Sequence, residues 1–447
     1  MTQYEKTAEA CRRSGVMIDT GRKYYSPSAL EKLVDIISRA GLGVIQLHFS
    51  EEMGFGIESR LFPWLPGRDG RLCTQGQVGS LATDGRYLSY AELSALAEYA
   101  SDRGVEVIPS FDSPGHLNYT VKRFHDTVRE TGSYSFGFGG IEYLTRFDGE
   151  GYSFFIDGKE DAEAPPESRE YGIGSFFSAG GKISRVKGTN NQGFSRGIDI
   201  SNRTAAAYVS AVFSEAASFF ASLGCRSIDI GGDELLGFAP AAVETSVLPR
   251  WGQLDGWKRK AEELTGSADA VAYDLFVDYM NHLRRLAAGL GYRSVRVWND
   301  EFMRESDTGW KYGDPGHVQF DRGYTVQFWS AKPAFASPAA IAGRGIDLIG
   351  ADSVYCYYVL TEKARAVPPA AYEKSNPGCI SGEWDRYSFG LPGTEGRTLD
   401  TPELRERLRG NMICVWSDRP DLEDEDTVIA NAGKMAEAMA EAIRRAE

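Results

Sequence analysis

A rhythm constrains this chain more than any other feature: eight short apolar runs, most of them followed by a stretch with helical spacing. The runs are 15–19 (GVMID), 43–49 (GVIQLHF), 105–109 (VEVIP), 227–231 (SIDIG), 294–298 (SVRVW), 324–329 (YTVQFW), 346–350 (IDLIG) and 411–416 (NMICVW). They are apolar on both sides, as strands of a parallel sheet covered by helices must be. After the first run, Pro27 opens a helix whose Leu30, Leu33, Ile36 and Ile37 fall three and four residues apart, and Gly41 ends it. Further helices are predicted over 89–101, 204–222 and 268–290, near Pro338, and in the Ala-rich C-terminal stretch. Eight such units predict an α/β fold, a closed (β/α)8 TIM barrel. The competing open, doubly wound sheet lacks support, because no GxGxxG follows an early strand.

A chain of 447 residues fits one such barrel with long loops. With no fixed-period repeat and no disordered linker, a single barrel domain over 1–447 is expected. The segments from strand end to next helix are long at 50–88, 117–200, 234–266 and 351–398. They belong to the C-terminal face, where barrels of this kind carry their sites. The insertion at about 117–200 contains a stretch, 132–195, rich in Gly, Ser, Tyr and Phe. It reads as a lid, as a small inserted subdomain, or as a plain surface loop.

Charge and cysteine usage narrow the partners. A net charge of −14 disfavours a nucleic-acid backbone and an anionic membrane surface. The six cysteines are scattered without CxxC spacing, no apolar leader opens the sequence, and no apolar run approaches a membrane span. A soluble, cytoplasmic protein with reduced thiols is the expectation, with homo-oligomerisation left open.

Polar and aromatic residues follow every predicted strand: Asp19 and Arg22; His48, Glu51 and Glu52; Asp112 and His116; Asp233 and Glu234; Trp298, Asp300 and Glu301; Trp329; Tyr355 and Tyr357; Trp416 and Asp418. Taken singly, each reads as readily as a loop residue or a structural ion pair, such as Arg22 with Glu301. A ring of eight is harder to attribute to stability alone. In the GGDE at 231–234, two glycines permit a tight turn or close approach, and two adjacent carboxylates follow. Neighbours at a strand end point different ways, so they do not face each other across a bond as a two-carboxylate glycosidase requires. One reads as a proton donor and the other as something else; an acid pair capping a helix start reads similarly. With five histidines and no HExxH or Cys–His spacing, no metal and no cofactor are expected, although acidic clusters at a barrel mouth leave Mg²⁺ open. No GxSxG is present. The aromatic content suits a site that stacks on sugar faces and acetamido methyls.

GVMIDTGRKYYS, LHFSEEMGFGIES, VIPSFDSPGH, IDIGGDEL and VWNDEF, in that order and one per strand, resemble glycoside hydrolase family 20, the β-N-acetylhexosaminidases and lacto-N-biosidases. The resemblance covers 15 to about 420. It implies that the substrate's own 2-acetamido oxygen is the nucleophile, with retention of the β configuration. It implies Glu234 as general acid and then base, and Asp233 as the group holding the acetamido N–H and stabilising the oxazolinium ion. By the same resemblance, Arg22 binds the 3- and 4-hydroxyls, and Trp298, Trp329 and Trp416 box the acetamido methyl. Tyr355 bonds its oxygen, His116 with Glu51 forms a relay behind Glu234, and Asp418 reads an outer hydroxyl. Two departures stand out. Glu51-Glu52 replaces a pair of aspartates, and Tyr355-Cys356-Tyr357 replaces Tyr-x-Asp, with Asp352 a possible stand-in for the lost acid. The resemblance therefore implies an exo-acting β-N-acetylhexosaminidase on oligosaccharides with a terminal N-acetylhexosamine. A lacto-N-biosidase releasing a disaccharide and a catalytically silent sugar-binding barrel are the alternatives.

Overall fold

A computed structural model describes residues 2–61, 86–175, 197–234, 255–299, 301–302, 317–331, 335–360, 372–390 and 397–446. The eight runs become strands β1 (Gly15–Asp19), β2 (Val44–His48), β3 (Glu106–Ser110), β4 (Ser227–Asp229), β5 (Ser294–Trp298), β6 (Tyr324–Phe328), β7 (Asp347–Gly350) and β8 (Leu408–Trp416). Each pairs in parallel with the next, and β1 closes on β8 with Gly15 opposite Met412. The barrel expected from the sequence is therefore the fold.

Helices begin where capping residues permit. Ser26 caps Pro27–Arg39 and Ser89 caps Tyr90–Ser101, the latter in a reciprocal box with Glu92. Asn202 caps Arg203–Ser222, which buries Tyr208, Phe213 and Phe220. Ala272–Gly289 and Glu425–Ala446 complete the long outer helices. One apolar core lies between strands and helices; a smaller one, including Met17, Ile108, Trp298 and Met412, fills the barrel.

Two elements differ from expectation. Strand β8 starts at Leu408 rather than 411, its first residues hidden in the sequence by Arg409 and Gly410. Beyond β7, residues 352–356 form a turn, and Tyr357–Val359 pairs in parallel with the upper half of β8, Tyr357 opposite Cys414. The barrel wall is thus continued upward on that side.

The insertion after β3 folds as a subdomain over its described part. Helix Asn118–Thr131 leads into four antiparallel strands, Ser133–Phe138, Ile141–Phe147, Tyr152–Ile156 and Lys159–Glu160. Tyr134 and Phe136 pack their rings on Tyr208, and Phe138 on His282, so the sheet rests on the barrel's flank. Residues 176–196, the remainder of the 132–195 stretch for which a lid was weighed, lie outside the described residues.

Candidate active site

The strand ends of the C-terminal face bring the acidic and basic side chains into one cluster around His116. Its Nε2 lies 3.5 Å from Glu234 Oε2 and 3.8 Å from Asp233 Oδ2. On its other edge, Nδ1 lies 3.2 Å from Glu51 Oε2 and 3.6 Å from Glu52 Oε1. Glu51 also reaches Arg22, whose Nη2 is 2.6 Å from Oε1, while Arg22 Nη1 is 2.9 Å from Asp19 and 3.6 Å from Asp418. The longer glutamate at position 51 thus spans Arg22 and His116 at once. The pairing of Arg22 with Glu301 weighed above is replaced by these three carboxylates, all nearer along the rim.

Local backbone explains the aim of the two central groups. Gly231 and Gly232 adopt φ of 71° and 92°, and a Cβ at Gly231 would meet the Asp112 backbone at 2.8 Å. The sharp turn is followed by Asp233 and Glu234, which both face His116. Glu234 (φ 44°) and His116 (φ 52°) are two of only three non-glycine residues with positive φ among the described residues. Such strain persists where surroundings over-determine it, commonly at functional sites. Asp233 lies deeper, its side chain 13% exposed against 30% for Glu234.

Burial and neighbouring charge pull in opposite directions here. Desolvation alone lowers the His116 pKa, but Glu51, Asp233 and Glu234 hold it well above the usual imidazole range. Burial would raise the Glu51 carboxyl, yet Arg22 and His116 hold it well below the usual range. The cluster is therefore a charged relay: Arg22⁺, Glu51⁻ and His116⁺ lead to the Asp233–Glu234 pair.

Beneath it runs a second, buried line that joins His48 and Asp112, named above at the strand ends, to Ser110, Asp229, Gln46 and Arg296, which the sequence did not single out. His48 Nε2 lies 3.1 Å from Asp112 Oδ2, and its Nδ1 is 2.9 Å from Ser110 Oγ. Ser110 donates to Asp229 at 2.6 Å, and Gln46 Nε2 donates to the same oxygen at 3.2 Å. Arg296 then donates to Gln46 at 3.1 Å. Asp229 is pushed up to about 6, chiefly by burial. In the sequence Gln46, Asp229 and Arg296 sit inside apolar runs, and only their side chains' meeting inside the barrel reveals them. His48, Glu51 and Asp112 place ligand atoms within 4.8 Å of one another, spacing a metal ion could use. Arg22 and His116 already supply the positive charge to Glu51, so a divalent ion would face repulsion there.

The aromatic side of the mouth is built by Trp298, Trp329, Trp416 and Tyr357. Trp416 packs against Trp298 at 6.0 Å, Tyr357 at 5.8 Å and His48 at 5.0 Å, and Arg22 lies 5.6 Å over its ring. Trp329 stacks on Tyr357 at 5.9 Å. Asn299 fixes this loop, accepting from the Trp329 N–H at 2.8 Å and donating to the Ser330 carbonyl at 2.8 Å. Tyr355 is not brought here. It sits in the turn before Tyr357–Val359, packed in the outer core with Lys374 5.7 Å from its ring. The turn breaks strand alternation, so the tyrosine facing the mouth is Tyr357, whose hydroxyl feels the Asp233 charge. Asp352 does not replace the missing acid. It is buried beside the backbone of Val354 and Gly390 and the Arg397 guanidinium, away from the His116 cluster. Asp418 stays half exposed at the rim, and Asp300 lies outside the described residues.

Comparison with known proteins gives the family and the fold. Residues 13–443 match the catalytic domain of glycosyl hydrolase family 20. The chain is 27% identical over 110 residues, 24% of its length, to a probable β-hexosaminidase of Arthroderma benhamiae. It is 23% identical over 375 residues, 77% of its length, to the N,N'-diacetylchitobiase of Vibrio harveyi. These alignments span 16% and 38% of the relatives' own lengths. In fold, it resembles a catalytic module of the pneumococcal exo-β-D-N-acetylglucosaminidase, with a TM-score of 0.62 at 19% identity, covering 98% of this chain and 86% of that one.

Proposed function

The chain belongs to glycosyl hydrolase family 20 and is a glycoside hydrolase, and we propose that it removes terminal β-linked N-acetylhexosamine from oligosaccharides by substrate-assisted catalysis. One observation carries the reading: two consecutive carboxylates share one face of His116, the deeper one beside an aromatic box and the shallower one toward solvent. Carboxylates so placed do not flank a scissile bond, which leaves the nucleophile to the substrate. In this reading the acetamido group enters among Trp298, Trp329, Trp416 and Tyr357. Its carbonyl oxygen attacks the anomeric carbon and the glycosidic bond breaks. Glu234 gives its proton to the leaving oxygen, and Asp233 holds the acetamido N–H as positive charge develops. Water then opens the oxazoline, its proton passing to Glu234. His116 and Glu51 position the pair; Arg22, fixed by Asp19 and Glu51, meets the sugar hydroxyls. A cytoplasmic site of action on imported oligosaccharides belongs to the same reading.

The test is release of nitrophenol from aryl β-glycosides of GlcNAc, GalNAc, glucose and lacto-N-biose. Cleavage of the acetamido monosaccharides without glucose is expected. Activity on the disaccharide alone would favour a lacto-N-biosidase, and glucose cleaved equally well would sink substrate assistance.

A further inference from the structure

At the opposite, N-terminal mouth of the barrel lies a cavity of about 990 Å³ lined by eight arginines against three carboxylates. In a chain of net charge −14 this is a local inversion of sign. Arg226, Arg293, Arg322 and Arg344 form an exposed rim, and Arg296 forms the floor, 5% exposed. None of these five has a carboxylate within ion-pair distance among the described residues, whereas Arg409 pairs with Asp347 at 2.8 Å. Arg296 uses Nη1 on the neutral amides of Gln46 and Gln327, and its buried Nε has no acceptor among the described residues.

Helix C-termini favour nearby cations, and Arg226, Arg293 and Arg344 follow helices that end at this face. That accounts for single arginines, not for five without an ion-pair partner among the described residues around one hollow, with a desolvated guanidinium at its base. Burial disfavours the Arg296 charge and lowers its pKa from the ordinary guanidinium value, and Glu106 and Asp229 offset this only in part. A buried cation with a free donor calls for an anion, and guanidinium forks match phosphate oxygens. The volume is that of a small-metabolite pocket, far larger than one phosphate needs.

We infer that the N-terminal mouth is a second binding site, distinct from the His116 cluster, for a small molecule carrying two or more phosphate groups. Its phosphates sit between the rim arginines and Arg296. Calorimetric titration with inorganic pyrophosphate, a hexose bisphosphate and adenosine diphosphate tests this, with sulfate as control. Pyrophosphate is expected to bind with Kd on the order of 100 µM at low ionic strength, weakening with added salt. The triple variant R293Q/R322Q/R344Q, all exposed positions, should lose at least about tenfold in affinity while its thermal unfolding and aryl-glycoside hydrolysis stay unchanged. A stronger response to the bisphosphate or to the nucleotide would identify the organic part of the ligand and support the site. No heat with pyrophosphate, undiminished binding by the triple variant, or equal affinity for sulfate would each overturn it.

Discussion

At the residue scale, the arrangement separates groups that touch the reacting atoms from those that aim them. Glu234→Gln keeps shape but removes the proton, so loss should be severe on alkyl leaving groups and mild on nitrophenol, which needs little acid help. Steady-state rates on both kinds of substrate decide it; equal losses would count against Glu234 as acid. Asp233→Asn should slow turnover by about 10²–10³, the scale of one electrostatic contact in a transition state, and an unchanged kcat would remove Asp233 from the mechanism. Tyr357→Phe should lower kcat/KM by about tenfold, for one hydrogen bond to the acetamido group, and Tyr355→Phe should leave it unaltered. The reverse pattern would restore Tyr355 to the role the family resemblance gave it. The two tyrosines show where sequence stops being informative: in a regular strand 355 and 357 share a face, and only the turn at 352–356 separates them. Asp233, Glu234, His116, Arg22 and Glu51 were legible because each follows a strand directly. Asn299 and Ser110 were not, since an amide and a hydroxyl carry no signal until their partners are known.

At the element scale, the eight barrel strands and the outer helices followed from periodicity and capping, whereas the start of β8, where Arg409 and Gly410 interrupt the run, the strand Tyr357–Val359 and the antiparallel sheet of the insertion did not. The end of β7 holds a buried titratable group outside the site. Burial pushes the Asp352 carboxyl up to about 7, against the pull of the Val354 and Gly390 N–H groups and Arg397. A folded pKa above the unfolded one means the native state prefers the protonated acid. Its contribution to stability is therefore greatest below about pH 4, falls as pH rises through about 7, and is constant beyond. At about 1.4 kcal/mol per pK unit the change is at most about 4 kcal/mol. Asp352→Asn, which cannot ionise, should flatten this slope and gain stability at pH 8 relative to pH 5. Urea unfolding of both proteins at the two pH values measures it, and parallel pH profiles would show that Asp352 is ionised throughout.

At the scale of the whole molecule, the ring is closed by the first and last strands, so stability depends on contacts far apart in sequence. The turn at residues 12–15 is wedged between β2 and β8 at the N-terminal face, and glycines make the room. A Cβ on Gly15 would lie 1.8 Å from the Val44 carbonyl oxygen, one on Gly43 would lie 2.2 Å from that of Arg12, and one on Gly410 would lie 2.1 Å from that of Arg13. These are backbone atoms of β2 and of the turn that leads into β1, which no side-chain rotation moves aside. Gly410→Ala should thus force β8 away from β1 and cost more than about 3 kcal/mol, above the usual range for overpacking a core with yielding side chains. Gly343→Ala is the matched control: it lies in helix Pro338–Gly343 with nothing within 4 Å of the added methyl, and should be neutral or stabilising by up to about 1 kcal/mol. Thermal unfolding of the pair, read beside aryl-glycoside KM, separates closure from chemistry. Gly410→Ala molecules that remain folded should keep an ordinary KM, because the catalytic cluster hangs from the other ends of the strands. If Gly410→Ala unfolds at the wild-type temperature, the β1–β8 seam has slack that the observed register does not allow.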